Sequence, residues 1–166
     1  MTPLRRHDMR LRMATTKEIE EVWNDRWYGM VVGLTTVYTP PDVDGLALVD
    51  HHDEPVGLVT YHVEGPAGQI VTLDTIVRGR GFGGRLLEAV ENKFHKLGLG
   101  RSWALMTNDN LRAAGLYLSR GYRLVRIHLD AGSDRLADGP LERRLEMLHL
   151  CVLERPSRTD LGRQHS

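Results

Sequence analysis

Seven residues, Arg78-Gly79-Arg80-Gly81-Phe82-Gly83-Gly84, hold four glycines and two arginines and join a strand-like run, Ile70 to Val77, to a helix-like run, Leu86 to Leu97. Glycines let the backbone approach a bulky anion closely, and the first amides of the following helix point outward without partners at its positive end. A fold that sets such a turn between strand and helix is equipped to hold a pyrophosphate. The alternative, a bare connection with no ligand, leaves the two arginines without a purpose.

The chain has 166 residues, enough for one domain that buries about two-thirds of its unfolded surface unaided. Its 22 basic and 22 acidic residues cancel, so charge gives no reason to expect a nucleic-acid or membrane partner. Arg5, Arg6, Arg10 and Arg12 make a locally basic N-terminal segment, read as solvated. Cys151 is the only cysteine, which excludes an internal disulfide and suits a reducing compartment; it reads as a buried small hydrophobe. No run has the apolar length of a membrane span or of a secretion signal, and cytoplasmic residence is the default expectation.

Met9, Leu11 and Met13 alternate with Asp8, Arg10 and Arg12 and predict a short strand with one buried face. Thr15 and Glu18 have capping-box spacing for a helix whose apolar side carries Ile19, Val22, Trp23 and Trp27, ending near Gly29. Residues 30 to 45, with Pro40-Pro41, Asp42 and Gly45, predict a loop preceded by at most a short irregular helical turn. Three antiparallel strands follow at Leu46 to Val49, Val56 to Val63 and Ile70 to Val77. After the glycine turn come a helix to about Leu97, a strand Ser102 to Met106, and a helix Asn110 to Arg120 stopped by Gly121. Tyr122 to Leu129 predicts a strand by alternation, Ala131 to Pro140 a loop or short helix, and Leu145 to Leu153 a last strand. The expected fold class is α/β with a mixed sheet in one domain, residues 1–155, followed by a polar, poorly ordered tail, 156–166.

Arg78-x-x-Gly81-x-Gly83 after a strand, followed by Asn110-Leu111-Arg112-Ala113-x-x-x-Tyr117 and Gly121-Tyr122, resembles the acetyl-CoA-dependent N-acetyltransferases of the GNAT superfamily. The likeness is compound and covers most of the chain, with its core from about Leu46 to Leu129. It implies a central, mostly antiparallel sheet that splays between its fourth and fifth strands, with acetyl-CoA in the opening. By resemblance, the coenzyme contacts fall to Thr75, Ile76, Val77, Arg78, Gly79, Arg80, Gly81, Phe82, Gly83, Gly84 and Asn110. The strand ending at Val77 would pair with the pantetheine arm as an added strand would, and the turn would hold the pyrophosphate. Relatives commonly carry a few more residues, often a proline, before the first arginine.

Acetyl transfer to an amine needs a donor for the carbonyl oxygen as it gains charge, a proton for the departing thiolate, and removal of a proton from the amine. A backbone N–H near Ile76 or Val77 answers the first demand. Tyr117 answers the second: by resemblance its hydroxyl points at the sulfur, and a phenol is protonated at neutral pH. Many relatives place a glutamate base early on the fourth strand, where this chain has Gln69, which cannot take a proton. Asp74 is the nearest carboxylate, either holding a relay water or serving as a structural acceptor. Trp27 and Tyr28, at the end of the first helix, are the candidate acceptor wall; Trp23 reads as core. His51, His52 and His62 read as surface residues, and no metal is expected.

Gly79-x-Gly81-x-x-Gly84 also satisfies the dinucleotide fingerprint, with Asp109 after the next strand, which keeps an NAD-dependent oxidoreductase open as an alternative. A non-catalytic acyl-CoA-binding module is a second one. The leading expectation is transfer from acetyl-CoA to a primary amine of a small metabolite, an antibiotic-like polyamine or a protein terminus. A C-terminal strand with Leu145, Met147, Leu150 and Val152 would suit a homodimer.

Overall fold

The computed structural model describes residues 5–107, 110–128 and 150–156. A 3-10 turn at Arg6–Asp8 leads into strand β1 (Arg10–Met13) and helix α1 (Thr16–Arg26). A small hairpin, β2 (Val31–Val32) with β3 (Val37–Tyr38), and a 3-10 turn at Pro40–Asp42 come next. Strands β4 (Asp44–Val49), β5 (Pro55–Glu64) and β6 (Ala67–Thr75), helix α2 (Phe82–Lys96), strand β7 (Arg101–Thr107), helix α3 (Leu111–Ser119), and strands β8 (Arg123–His128) and β9 (Leu150–Pro156) complete it. Seven strands form one sheet in the order β1-β4-β5-β6-β7-β9-β8, antiparallel except for β6 and β7. The expected mixed α/β class holds.

Both faces of the sheet are covered, which is why β5 is buried continuously from Val56 to Tyr61 instead of alternating. Neighbouring residues Leu58 and Val59 join different core clusters, as successive strand residues must. Leu86, Leu87, Val90 and Phe94 of α2 fill one cluster; Ile19 and Trp23 of α1 anchor the other. The capping box forms as read: Thr15 Oγ1 accepts from the Glu18 N–H at 3.2 Å, and Glu18 accepts from the Thr15 N–H at 2.9 Å.

The opening between β6 and β7 has a visible cause. The two strands pair over four positions only, Ala67↔Arg101 to Ile70↔Ala104. Immediately beyond, the register of β5 with β6 slips, because Thr60 faces Thr72 while Tyr61 faces Ile70, leaving Val71 as an extra residue. A bulge bends its strand and increases the local twist. From Val71 on, β6 therefore stays with β5 and leaves β7, which remains paired with β9 to Thr107↔Leu150.

Several expectations are corrected. Helix α2 begins at Phe82 instead of Leu86: Gly83 and Gly84, poor helix formers, lie in a first turn where no intrahelical N–H bond is yet required. Residues 30 to 45 hold the β2–β3 hairpin, and their helical turn falls at Pro40–Asp42, late in the stretch instead of before it. In β1 the buried face is lost, since Leu11 and Met13 are exposed and the core under α2 reaches only Met9. Strand β8 lies at the other edge of the sheet with Arg123 to Ile127 all exposed, so its alternation marks no buried face. Strand β9 is hydrogen-bonded on both sides and Val152 is buried within the fold, which removes that side chain from any dimer surface. The expected loop at Ala131 to Pro140, residues 145 to 149 of the last strand, and the tail beyond Pro156 lie outside the described residues, as does the Cys151 side chain.

Candidate active site

The parted ends of β6 and β7 enclose a cavity of about 420 Å3, roofed by the glycine turn, the start of α2 and helix α3. The turn is shaped for an approaching anion. Gly79 and Gly81 hold left-handed φ values of 73° and 75°, which side chains rarely adopt, and a Cβ placed on Gly79 or Gly84 would meet no atom within 4 Å. Gly81 is the N-cap of α2 and has no side chain to cap with; the first intrahelical bond is Arg85 N–H to Gly81 O at 3.1 Å. The amides of Phe82, Gly83 and Gly84 are therefore left for a ligand, all three residues line the cavity, and the helix dipole adds positive potential there. Among the described lining residues are Arg78 and Arg112 but no carboxylate. These residues fit a diphosphate-bearing coenzyme.

Tyr117 projects into the same space from α3. Its side chain is buried with an exposure of 5%, its ring stands edge-on to Tyr122 at 5.2 Å, and its hydroxyl has no hydrogen-bond partner among the described residues. Burial first, then Tyr122, Asp74 and Glu91, raise its pKa above the ordinary phenol value, so the proton stays on the oxygen at neutral pH. Tyr122 is tied elsewhere, its hydroxyl 2.9 Å from Ser102 Oγ. Asn110 caps α3 by accepting the Ala113 N–H at 3.2 Å through Oδ1, leaving its amide N–H groups at the cavity edge.

Most of the expected coenzyme residues come together: Thr75, Val77, Arg78, Gly79, Gly81, Phe82, Gly83, Gly84 and Asn110 all line the cavity. Ile76 and Arg80 do not. The Ile76 N–H donates to Val56 O at 3.0 Å, which withdraws it as a donor for a carbonyl oxygen, whereas the Val77 N–H has no partner among the described residues. Asp74 is also outside the lining. Trp27 Nε1–H reaches its Oδ1 at 3.2 Å and Oδ2 at 3.0 Å, and Arg26 stands 3.8 Å from Oδ1, so the carboxylate faces α1. Burial raises its pKa, partly opposed by Trp27 and Arg26. Trp27 lines the cavity, but Tyr28 does not: with φ 55° the chain turns left-handed at the helix end, and Tyr28 points outward, 61% exposed.

Four features escaped the sequence. Val31 and Val32 of the hairpin wall the cavity beside Trp27. Leu105, Met106 and Thr107 supply the β7 side of the opening. Gln69, 4% exposed, accepts the Tyr38 hydroxyl at 2.6 Å and lines both this cavity and a second one of about 310 Å3. His62, expected on the surface, is half-buried in that second cavity with its ring 5.3 Å from Tyr38. The hairpin strands are two residues each, too short for a period, and Gln69 was legible only as a missing glutamate. Among the described residues no cluster of three or more His, Cys, Asp or Glu could hold a metal, and no helix is long and apolar enough to cross a membrane.

The site thus combines a splayed sheet, a helix-start anion cradle and a buried tyrosine in the opening. The model of the acetyltransferase (GNAT) family matches residues 8–122, and the chain belongs to that family. An uncharacterized protein of Bacillus subtilis (strain 168), YxbD, is 34% identical over 95 residues, 57% of this chain and 60% of its own length, so the match spans less than two-thirds of that relative. Among solved structures, a Bacillus subtilis acetyltransferase in complex with CoA superposes with a TM-score of 0.67 at 15% identity over 89% of this chain and 98% of its own. A dodecameric spermidine N-acetyltransferase from Vibrio cholerae superposes at 0.70 with 13% identity, over 95% and 99% of the two chains. At such identities these two carry the fold alone.

Proposed function

We propose that this protein transfers an acetyl group from acetyl-CoA to a primary amine by direct attack. The observation that carries it is the free Tyr117 hydroxyl inside an opening whose roof is a row of uncapped helix amides. Bound acetyl-CoA supplies an acyl group already activated as a thioester. The amides of Phe82 to Gly84, with Arg78, hold the diphosphate, and the open edge of β6 beyond Ile70 offers backbone groups to the amide-bearing arm. The Val77 N–H steadies the carbonyl oxygen, and Tyr117 Oη gives its proton to the sulfur as the carbon–sulfur bond breaks.

The amine's own proton passes to solvent water, since Gln69 cannot accept it, and solvent returns a proton to Tyr117, which closes the balance. Asp74 acts through Trp27, holding the indole on the acceptor wall. The dinucleotide alternative loses its footing: it needs a parallel βαβ unit in a parallel sheet, and β6 is antiparallel to β5 and parallel to β7 over four pairs only. The remaining alternative, a binding module without turnover, is separated by one assay. Acetyl-CoA incubated with a panel of primary amines is expected to release free thiol in proportion to acetylated amine; coenzyme binding by calorimetry with no thiol from any amine would leave the module.

A further inference from the structure

We propose that the second cavity, which shares the Gln69 wall with the first, binds a positively charged tail, so that the acceptor is an amine carrying a second ammonium group. This rests on the acetyl-transfer reading of the first cavity. The two spaces share Gln69, which places the second one where an acceptor reaching the thioester would extend. Its described lining includes the carboxylates Asp42 and Glu64 and neither lysine nor arginine, the reverse of the first cavity.

Asp42 is held ionised. The Thr39 hydroxyl and N–H both donate to its Oδ2, at 2.6 and 2.7 Å, and lower its pKa. The rings of Tyr38 and Trp103 add faces that attract a cation. Tyr38 feels the negative field: burial first, then Glu64 and Asp42, raise the pKa of its hydroxyl. His62 is engaged through Nδ1, 3.2 Å from the Asp42 carbonyl oxygen.

Gln69 adds an independent sign of a ligand. It is 4% exposed, its Oε1 is occupied by Tyr38, and its amide NH2 has no partner among the described residues. Its position on the wall of both cavities leaves that donor available to a ligand. Turning the amide over would keep the Tyr38 bond, because a hydroxyl accepts as well as donates, and would present the oxygen to the N–H of an arriving amine. In either orientation one end of the amide waits at the wall that the two cavities share.

The test compares linear diamines of increasing length with monoamines of equal length in the thiol-release assay. The best diamine is expected to exceed its matched monoamine in kcat/KM by about tenfold. The Glu64 side chain is exposed and makes no hydrogen bond or ion pair among the described residues, so its substitution spares the fold. Glu64→Gln should cut the diamine-to-monoamine ratio about threefold, more at low ionic strength, and Glu64→Lys should turn the preference toward amines with a carboxylate tail. Equal rates for diamines and monoamines, or a ratio unmoved by both variants, would overturn the tail site while leaving acetyl transfer intact. Should no amine release thiol, calorimetric titration of the diamine into acetyl-CoA-loaded protein decides. Binding that Glu64→Lys weakens supports the tail site without transfer, and no binding overturns both.

Discussion

The two cavities that share Gln69 differ in material as well as in charge. The larger is made of backbone: glycines, uncapped amides at the start of α2 and the unpaired edge of β6, with Arg78 and Arg112 at its mouth. The smaller is made of side chains: Tyr38, Trp103, His62, Asp42 and Glu64, drawn from the hairpin, the Pro40–Asp42 turn and strands β5 and β7. A backbone-built site recognises what every ligand of one class shares; on the proposed function that is a diphosphate and an amide chain. A side-chain-built site changes with each substitution, so it is where one member of a family can differ from another in the molecule it accepts.

The largest expected effect tests the chemistry in the first cavity. Tyr117→Phe keeps the ring against Tyr122 and removes only the proton donor, so kcat should fall about 100-fold while the KM for acetyl-CoA stays unchanged. An unchanged kcat across pH would remove Tyr117 from the mechanism. Next comes the cradle. Gly84→Val places a branched side chain in space that is open to a ligand, and the KM for acetyl-CoA should rise about tenfold. Gly65→Ala is the comparison: it too has open space around a Cβ but sits in the β5–β6 turn with φ 56°, so it should cost about 1 kcal/mol of stability and leave that KM alone. Equal KM changes for the two variants would mean that the glycine turn is merely a turn.

A third substitution probes the short seam that holds β6 to β7. Gly68 lies in the paired half of β6, and a Cβ there would come within 2.6 Å of the Phe94 ring, itself buried in the core under α2. Gly68→Ala should destabilise by about 2 kcal/mol, a fall in Tm of about 4–8 °C in calorimetry. A wild-type Tm would show that the seam has slack and that the opening owes little to close packing at its base.

The contrast in materials also explains what could be read from the chain. The glycine turn, the Thr15 capping box and the helix carrying Tyr117 were legible because each is a local backbone demand met by neighbouring residues. The splay was implied only by resemblance, for its physical cause, the bulge at Val71, depends on pairing between β5 and β6 that no local pattern encodes. Tyr28 was misplaced because a helical projection continues past Trp27, whereas the backbone reverses. The second cavity was invisible: His62 looks like a surface residue until two-residue strands bring Tyr38 beside it, and Gln69 carried a signal only as a departure from a family pattern.

The smallest effect probes, by acid, the helix that carries the acceptor wall of the larger cavity. Helix α1, which carries Trp27, is pinned at its start by Glu18, which binds the Arg12 guanidinium at 2.6 and 2.9 Å and closes the capping box. The Arg12 hydrogen bond, opposed by burial and helped by Thr15, lowers the Glu18 pKa from 4.5 to about 2. Because the folded value is the depressed one, this stabilisation is complete above pH 4.5 and is lost as pH falls toward 2. The pair is partly solvated, so the loss should be about 1 kcal/mol or less. Glu18→Gln should lower Tm slightly at neutral pH and flatten the fall between pH 4.5 and 2. Helix α1 lends Trp27 to the cavity, and its Arg26 donates to Thr75 O at 3.3 Å, while among the described residues no hydrogen bond joins it to residues 78–84. The acceptor KM of Glu18→Gln should therefore shift at neutral pH more than the acetyl-CoA KM. A parallel shift of equal size in both would mean that the acceptor wall and the glycine turn are mechanically one site.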